Sequence, residues 1–451
     1  MTQSQRPRVW LHIGMPKTGS SALQTVLFDK KKLLRSHGYL YPDFSNRKRL
    51  RARDKQHVAM ARMLARRAGS TAKFPKVGGY PPQHRFVDYL TAEAPDCHSV
   101  ILSTEYLFQR PGGAPGMKCI SLDEGMKTLT KTAEYTRDYL AGMDVNIVVW
   151  LRRQDRWLMS MYNQTIKTSL YREDFSKFAK NTIGVNLYSI VSIWINLFGR
   201  DRVHCFSYDS LIAERRDIVQ EFANVIGIDA ALLSDDRDDV QKQRNAGLSL
   251  EALELKRMIN QRLSALSYDA RREGNIGPLR KLVARVSEAS ADWPHAMLSP
   301  EERLELMSPY MEGNSKLVDQ LGYSELSDLN DLSDLQALGE SSAWKPLSGS
   351  DQNATIRQLA SFSVSQVERR IWESRFNQDQ IVAMFKAAEE GRAVDDVCRE
   401  HDISKATYLD WKNKFGGMET TELMKRLRVL EVENQRLKRR LWPSLLKWLR
   451  G

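Results

Sequence analysis

Two short segments place anion-binding side chains directly after runs of apolar residues. The first, Leu11–Gln24, reads LHIGMPKTGSSALQ, and its turn, here named the first loop (residues 14–21), is rich in glycine, serine and threonine. A turn of this kind directs several backbone N–H groups and hydroxyls at one anion, and the N-terminus of the following helix adds partial positive charge. We therefore predict that the first loop holds a phosphate-like group through Pro16, Lys17, Thr18, Gly19, Ser20 and Ser21.

The position of the lysine in the first loop distinguishes two kinds of phosphate site. A Walker A loop places its lysine directly after the second glycine, whereas Lys17 precedes Gly19 by two positions. This spacing disfavours a P-loop kinase or ATPase. For the loop taken alone, an ordinary strand-to-helix turn with an exposed lysine remains the alternative.

The second segment, Asn146–Gln164, reads NIVVWLRRQDRWLMSMYNQ. Its apolar run ends just before Arg152 and Arg153, and Asp155 is placed to cap a helix that carries Ser160. A guanidinium fork and a nearby hydroxyl suit a second phosphate, so we predict that Arg152 and Ser160 bind one together. Surface arginines and a neutral helical serine are the alternative.

Buried strands must position both segments. Continuous apolar runs, rather than alternating ones, are typical of strands covered on both faces of a parallel sheet, and here they alternate with amphipathic helical stretches. This pattern predicts an α/β domain. The predicted strands are Val9–Ile13, Val100–Ser103, Val145–Leu151 and Val203–Phe206.

Together, the two segments resemble the nucleotide-binding motifs of the sulfotransferase family. The first loop is similar to that family's 5′-phosphosulfate-binding loop, and Arg152 with Ser160 is similar to its 3′-phosphate motif. The resemblance covers roughly residues 8–330 and implies a P-loop-like parallel sheet, 3′-phosphoadenosine 5′-phosphosulfate (PAPS) as donor, and no metal. The family's late arginine-lysine-glycine cofactor loop is missing, and Gln241–Leu248 (QKQRNAGL) stands where it would lie.

The same resemblance implies how a sulfuryl group would be transferred to a hydroxyl or amine. Lys17 and the loop amides would stabilise the charge that builds on the departing bisphosphate. Val100–Glu105 (VILSTE) resembles the strand that carries a carboxylate base in several carbohydrate sulfotransferases, so Glu105 is the first candidate for the base. His57 and His12 are rival bases, and a carboxylate paired with an arginine is the alternative for Glu105. The acceptor, a glycan or a small molecule, is not identified by these residues.

The C-terminal region has a different, helical pattern over Phe376–Phe415. Two amphipathic stretches are separated at Gly391, and a turn at His401–Ile403 precedes a third, basic helix. Three short helices with a polar third one fit a DNA-binding helix-turn-helix, although a generic helical bundle gives the same pattern. The predicted DNA-binding residues are Lys405, Thr407, Tyr408, Lys412 and Lys414.

A heptad pattern follows the third helix. Leucines recur at the d positions, and Asn434 stands alone among leucines at the a positions, as in dimeric leucine zippers. With WKNKFGG at Trp411–Gly417 and LEVENQRLK at Leu430–Lys438, the region resembles the short first-frame protein of bacterial insertion sequences, often labelled transposase. The resemblance covers about residues 374–441 and implies binding to DNA ends and dimerisation, while the catalytic DDE domain belongs to a second protein.

The composition of the chain indicates where its segments begin and end. A stretch rich in Ser, Gln, Gly and Asn separates the two patterns and reads as a linker. We predict four segments: a sulfotransferase-like domain at 1–335, a linker at 336–373, a helix-turn-helix at 374–416, and a zipper with a basic tail at 417–451.

The chain has 451 residues, of which 42% are hydrophobic, and a net charge of +12. These values exclude a wholly disordered chain and favour anionic partners. Residues 371–451 hold 16 basic and 13 acidic residues, so most of the positive excess belongs to the preceding part. The four cysteines include no CxxC pair, which disfavours a disulfide scaffold or a cysteine zinc site. We see no signal-peptide core and no apolar run near the roughly 18 residues that span a bilayer, and we expect a cytoplasmic protein.

Two function classes remain open. The first is a PAPS-dependent sulfotransferase with an appended DNA-binding dimerisation module, which we expect to form a homodimer through its zipper. The alternative is a transposase-related DNA-binding protein in which the N-terminal domain is a passenger captured by element insertion.

Overall fold

The structure, a computed structural model, divides the chain into two compact units. Unit 1 comprises Met1–Gly247 and Ala296–Pro346, and unit 2 comprises Leu248–His295 and Leu347–Gly451. The residues that the structure describes are 8–43, 57–68, 95–108, 122–181, 186–233, 247–264, 277–290, 295–334, 345–346, 356–361, 364, 378–401, 403, 405 and 408–409.

Unit 1 is built on a five-stranded sheet in the order β2-β3-β1-β4-β5. Every neighbouring pair runs parallel, so the carboxyl ends of all five strands meet at one edge. This arrangement confirms the predicted α/β fold with a parallel sheet. The strands are β1 (Arg8–Gly14), β2 (Tyr39–Leu40), β3 (Ser99–Ser103), β4 (Asp144–Leu151) and β5 (Val203–Ser207).

Burial explains why four of these strands are visible in the sequence. In β1 and β4 every residue except the first is buried, as continuous apolar runs require when helices cover both faces. The four predicted strands lie within β1, β3, β4 and β5. The edge strand β2 has two residues, which is too short for any periodicity to reveal.

Helices cover the sheet and make up most of the described part of unit 2. Those of unit 1 are α1 (Ser20–Asp29), α2 (Lys31–Ser36), α3 (Val58–Arg67), α4 (Leu122–Tyr139), α5 (Gln154–Thr168), α6 (Phe175–Asn181), α7 (Leu187–Phe198), α8 (Tyr208–Ala213), α9 (Ile218–Ile226) and α12 (Pro300–Asp319), with 3-10 turns at Glu105–Leu107, Arg200–Arg202, Ala230–Leu233 and Ser324–Asn330. Those of unit 2 are α10 (Leu250–Leu263), α11 (Gly277–Ala289), α13 (Gln378–Glu389) and α14 (Val394–Glu400). Two-residue strands are also present at His295–Ala296 and Lys345–Pro346.

The core under the first loop fixes the helix that follows it. Leu23 and Leu27 of α1 join one buried cluster with Trp150 of β4 and Phe222 of α9. These are the positions at which the sequence places apolar residues at helical spacing. Because α1 packs on the sheet through this face, its N-terminus is held at the carboxyl end of β1.

The start of α5 differs from the sequence-based prediction. Asp155 does not cap this helix: Arg153 is the N-cap residue, and no side chain caps it. Instead, Asp155 lies buried in the first turn and accepts from Arg153 Nε at 2.8 Å and from Arg303 Nε of α12 at 2.9 Å. A buried carboxylate needs such partners, so two arginines draw Asp155 inward and join α5 to α12.

Unit 2 contains two helix pairs among its described residues. In the first pair, Ser249 caps α10 by accepting from the Ala252 N–H, and its hydroxyl also bonds to the hydroxyl of Ser290. In the second pair, α13 ends as Gly391 takes a φ of 99°, and α14 then returns over it. A small cluster holds this pair together: Met384, Phe385, Val397, Cys398 and Tyr408.

Several predicted segments lie outside the described residues. They include the whole zipper and basic tail at 417–451, most of the linker at 336–373, and residues 241–246 of the segment QKQRNAGL. Within the part of the chain that the structure does describe, no helix combines the length and apolar character needed to cross a membrane.

Candidate functional site

The backbone of the first loop turns sharply at the carboxyl end of β1. Lys17 and Gly19 both have positive φ values, of 67° and 78°, in the left-handed region that few non-glycine residues adopt. The positive φ of Gly19 favours glycine there, and a Cβ atom would also press on Ile218, 3.2 Å from its Cδ1. The loop is further tied to the sheet by a hydrogen bond from the Met15 N–H to the Trp150 carbonyl at 3.1 Å.

The hydroxyls of the first loop do not all face the same way. Thr18 Oγ1 donates to the Met15 carbonyl at 2.5 Å, and Ser20 Oγ lies 3.4 Å from the same oxygen. These two side chains therefore brace the loop internally, whereas Ser21 is exposed and Pro16 is buried. Helix α1 begins after Gly19 with no side-chain cap, so its first backbone N–H groups have the arrangement that can bind an anion.

Three side chains predicted from separate segments meet at this edge of the sheet. Lys17 follows β1, Glu105 follows β3 in a 3-10 turn, and Arg152 follows β4. Arg152 Nη1 donates to the Lys17 carbonyl at 3.0 Å, which joins the two predicted phosphate-binding segments directly. The structure thus brings together residues that are far apart in the sequence.

Lys17 and Glu105 act on each other's charge. Burial lowers the pKa of Lys17, and the Glu105 carboxylate opposes that change. Burial also raises the pKa of Glu105, and Lys17 opposes that shift in turn. Such mutual effects require proximity. A partly desolvated lysine beside a carboxylate with a raised pKa is the arrangement expected of a charge-stabilising group and a general base.

Helix α5 lines the same site with a polar face. Gln164 Oε1 accepts from Lys17 Nζ at 3.4 Å, and Lys167 is close enough to lower the pKa of Lys17. Ser160 is half-buried one turn before Gln164, at the spacing that places both on one side of a helix. Sequence reasoning found Ser160 but missed Gln164 and Lys167, although their four- and seven-residue spacing from Ser160 was a usable signal.

A fourth strand end also reaches the site. Tyr208 and Asp209 begin α8 directly after β5. The Arg152 guanidinium lies over the Tyr208 ring, 5.4 Å from its centre, and its Nε is 3.9 Å from Asp209 Oδ1. Sequence reasoning missed both residues, and the only signal was a pair of polar residues that follows a predicted strand.

The two rival histidines have internal partners. His57 Nδ1 accepts from the Ser103 N–H at 2.9 Å, so Nε2 carries the proton and donates to the Pro42 carbonyl at 3.0 Å. His12 Nδ1 bonds to Ser103 Oγ at 2.7 Å inside the sheet. Burial lowers the pKa of each histidine to about 4. Both side chains therefore join β3 to its neighbours.

The segment QKQRNAGL approaches the site at its described end. A Cβ atom on Gly247 would lie 3.2 Å from Nδ2 of Asn163 on α5, three residues after Ser160. Gly247 therefore packs closely against the helix that carries Ser160.

The predicted DNA-binding residues of unit 2 fall into three groups. Lys405 is exposed and its Nζ lies 2.9 Å from Asp395 Oδ1. Tyr408 is fully buried against Phe385, with ring centres 5.5 Å apart, because it supplies the aromatic core of the small helical cluster. We therefore leave Tyr408 out of the DNA contacts proposed below. Thr407, Lys412 and Lys414 lie outside the described residues.

Comparison with known proteins identifies the C-terminal segment. A family model described as Transposase matches residues 372–441. The uncharacterized 10 kDa protein A3 of insertion element ISR1 from Rhizobium sp is 47% identical over 73 residues, which are 16% of this chain and 82% of that protein. The uncharacterized 10.0 kDa protein of insertion element IS407 from Burkholderia multivorans is 46% identical over 74 residues, or 16% of this chain and 84% of that protein. Low calcium response locus protein S of Yersinia pestis is 48% identical over 73 residues, or 16% and 81% respectively.

A solved structure is similar to part of the chain. The crystal structure of a sulfotransferase from Alicyclobacillus acidocaldarius has a TM-score of 0.30 and 15% identity, and the match covers 59% of this chain and 99% of that one. At this identity and TM-score, the similarity says nothing about activity.

Proposed function

This chain belongs, through residues 372–441, to the family of insertion-element proteins whose model is described as Transposase, and we propose that it joins a PAPS-dependent sulfotransferase to a DNA-binding helix-turn-helix. The observation that carries the enzymatic half is the meeting of Lys17, Glu105 and Arg152 at the ends of three parallel strands. Ligands of open α/β sheets bind outside the carboxyl ends of the strands, where these three side chains lie.

The donor set of the site fits a nucleotide with two anionic groups. Lys17 and the uncapped N-terminus of α1 offer one centre of positive potential, and Arg152 on the next strand offers a second. The two centres are joined through the Lys17 carbonyl, so a molecule with both a phosphosulfate and a second phosphate satisfies them together. Bound PAPS would supply the sulfuryl group.

The residues of the chain then have separate tasks. Lys17 holds its positive charge near the leaving oxygen, where a partly buried cation stabilises developing negative charge more strongly than water does. Glu105 takes the proton from the acceptor hydroxyl, and its raised pKa keeps it basic enough for that transfer. Arg152 and the α5 face around Ser160 fix the far phosphate and so orient the nucleotide.

A binding experiment tests this half of the proposal. PAPS and its bisphosphate product PAP should raise the thermal unfolding temperature of the full chain, and Lys17→Ala and Arg152→Ala should abolish that rise. Lys177→Ala is the matched control, because Lys177 is exposed on α6 and pairs with Glu173 at 2.7 Å, away from the site. The absence of any shift in the wild-type chain would refute the sulfotransferase half.

The DNA-binding half rests on family membership and on the helices themselves. α13 and α14 pack through a shared apolar cluster, and Lys405 starts the basic stretch that follows them. Loss of salt-dependent DNA binding after deletion of residues 371–451 would support this half. If that deletion also leaves PAP binding unchanged, the two halves work independently, as the passenger alternative requires. DNA binding by the full chain without any PAP binding would favour that alternative.

A further inference from the structure

Asp209 connects the end of β5 to the junction between β4 and α5. Its side chain is 9% exposed. Oδ2 accepts from the Arg153 N–H at 2.7 Å, while Oδ1 accepts from Arg156 Nη1 at 3.0 Å and lies 3.9 Å from Arg152 Nε. One buried carboxylate thus contacts three residues of the strand-to-helix junction.

Arg152 has few other means of keeping its orientation. Nη1 donates to the Lys17 carbonyl, and among the described residues Nε has no hydrogen-bond partner. Burial lowers the pKa of Arg152, and Asp209 is the strongest of the groups that oppose this effect. The guanidinium therefore lies between the first loop on one side and the Asp209 carboxylate on the other, above the Tyr208 ring.

We propose that Asp209 is a positioning residue, which holds the Arg152 guanidinium where it can receive the second phosphate of the nucleotide. The proposal rests on the proposed sulfotransferase function. According to this proposal, the end of β5 helps to build the nucleotide site, together with the ends of β1 and β4 that carry the two anion-binding segments. Since an ion pair that is largely shielded from water holds its partners more strongly than an exposed one, removal of the Asp209 charge, 3.9 Å from Arg152 Nε, should release Arg152 without removing it.

Asp334 offers a matched control. Its carboxylate binds Arg153 Nη1 at 2.8 Å and Arg156 Nη2 at 3.0 Å, so it shares two partners with Asp209. No contact between Asp334 and Arg152 occurs among the described residues. A variant at Asp334 therefore disturbs the same ionic network while it leaves the charge beside Arg152 in place.

The experiment measures the affinity of the full-length chain for PAP and for AMP, which lacks the 3′-phosphate, by calorimetry. Asp209→Asn keeps an oxygen for the Arg153 N–H, and it should weaken PAP binding by about tenfold or more while AMP binding stays unchanged. Asp334→Asn should change neither affinity. In an Arg152→Ala background, Asp209→Asn should have no further effect, because its partner is already gone.

Each other outcome would overturn the proposal. Unchanged PAP affinity in Asp209→Asn, or equal losses for PAP and AMP, would leave Asp209 with a structural role alone. The same would follow if Asp334→Asn matched its effect. Should Asp209→Asn fail to fold, Asp209→Glu serves instead, because it retains the charge on a longer side chain. The ratio of PAP affinity to AMP affinity should then be lower than in the wild-type chain. An unchanged ratio would overturn the proposal. If the wild-type chain binds no PAP, the proposed function fails and this inference with it, whereas wild-type binding with an unaffected Asp209→Asn overturns this inference alone.

Discussion

The sheet edge of unit 1 and the C-terminal segment at 372–441 carry their function in opposite ways. At the sheet edge, Lys17, Glu105 and Arg152 are far apart in the sequence, and only the parallel arrangement of β1, β3 and β4 brings them together. The C-terminal segment is contiguous, and nearly half of its residues are identical to those of insertion-element proteins. A site assembled by the fold is recognised by geometry, whereas a function carried by consecutive helices is recognised by sequence.

Positive charge is also used differently in the two regions. In unit 1, Arg153 and Arg156 are neutralised by Asp155, Asp209 and Asp334, so the arginine-rich junction contributes little net attraction for an anion. Burial opposes the charge of all four groups, but the carboxylates outweigh it and raise the pKa of Arg153 and Arg156, whereas the pKa of Lys17 and of Arg152 stays lowered. In the C-terminal region, the described pair of Lys405 and Asp395 is exposed on both sides, and water screens it.

The largest expected effect is on the chemical step at the sheet edge. Glu105→Gln removes the base and should lower the rate of PAP release from PAPS by about 10²–10⁴-fold, measured with a mixture of hydroxyl-bearing sugars and phenols as acceptors. PAP affinity should stay near the wild-type value, because Glu105 is not assigned to the phosphates. Glu312→Gln, which alters an exposed carboxylate paired with Lys316, is the control. A wild-type rate of PAP release in Glu105→Gln would show that Glu105 is not the general base.

The pH dependence of that rate should reflect the titration of both Glu105 and Lys17. Glu105 works as the carboxylate, so activity should rise with pH through its raised pKa, above the ordinary range for glutamate. Lys17 works as the cation, so activity should fall with pH through its lowered pKa, below the ordinary range for lysine. The profile of kcat/KM against pH should be a narrow bell. Glu105→Gln should remove its rising limb alone.

A somewhat smaller effect is expected from the first loop. Lys17→Ala removes one charge from the transition state and should lower kcat by about 10²–10³-fold, as the loss of a single preorganised electrostatic group does. DNA binding should be unchanged in the same variant, since Lys17 lies in the other unit. A parallel loss of DNA affinity would contradict the division of labour between the two regions.

Sequence reasoning succeeded at the sheet edge where local pattern and structure agree. Continuous apolar runs revealed β1, β3, β4 and β5, and the polar residues directly after them gave Lys17, Glu105 and Arg152. It could not find Asp209, because a residue after the fifth strand becomes part of the site only through strand order, which no local pattern records. It also misjudged Asp155, which resembles a helix cap in sequence but is drawn into the interior by Arg303, 148 residues later.

In the C-terminal region a single charge should have a modest effect. Lys405→Ala should weaken DNA binding and reduce the slope of log affinity against log salt by about 0.9, the value for one phosphate contact. Asp395→Asn should act in the other direction, because it releases Lys405 from its ion pair. Titration of a labelled duplex at several salt concentrations measures both, with Lys177→Ala as the control. If the slope of log affinity against log salt is unchanged in both variants, Lys405 does not contact DNA.

The smallest effect should come from Tyr408, the residue on which sequence and structure differ most in this region. A tyrosine on a basic helix suggests a DNA contact, but its ring is fully buried beside Phe385, and its hydroxyl has no hydrogen-bond partner among the described residues. Because an unsatisfied buried hydroxyl is unfavourable, Tyr408→Phe should leave the free energy of unfolding equal or higher, by up to about 1 kcal/mol. DNA affinity should not change. Thermal unfolding and the same duplex titration measure the two quantities, and a loss of affinity with unaltered stability would return Tyr408 to the DNA-binding surface.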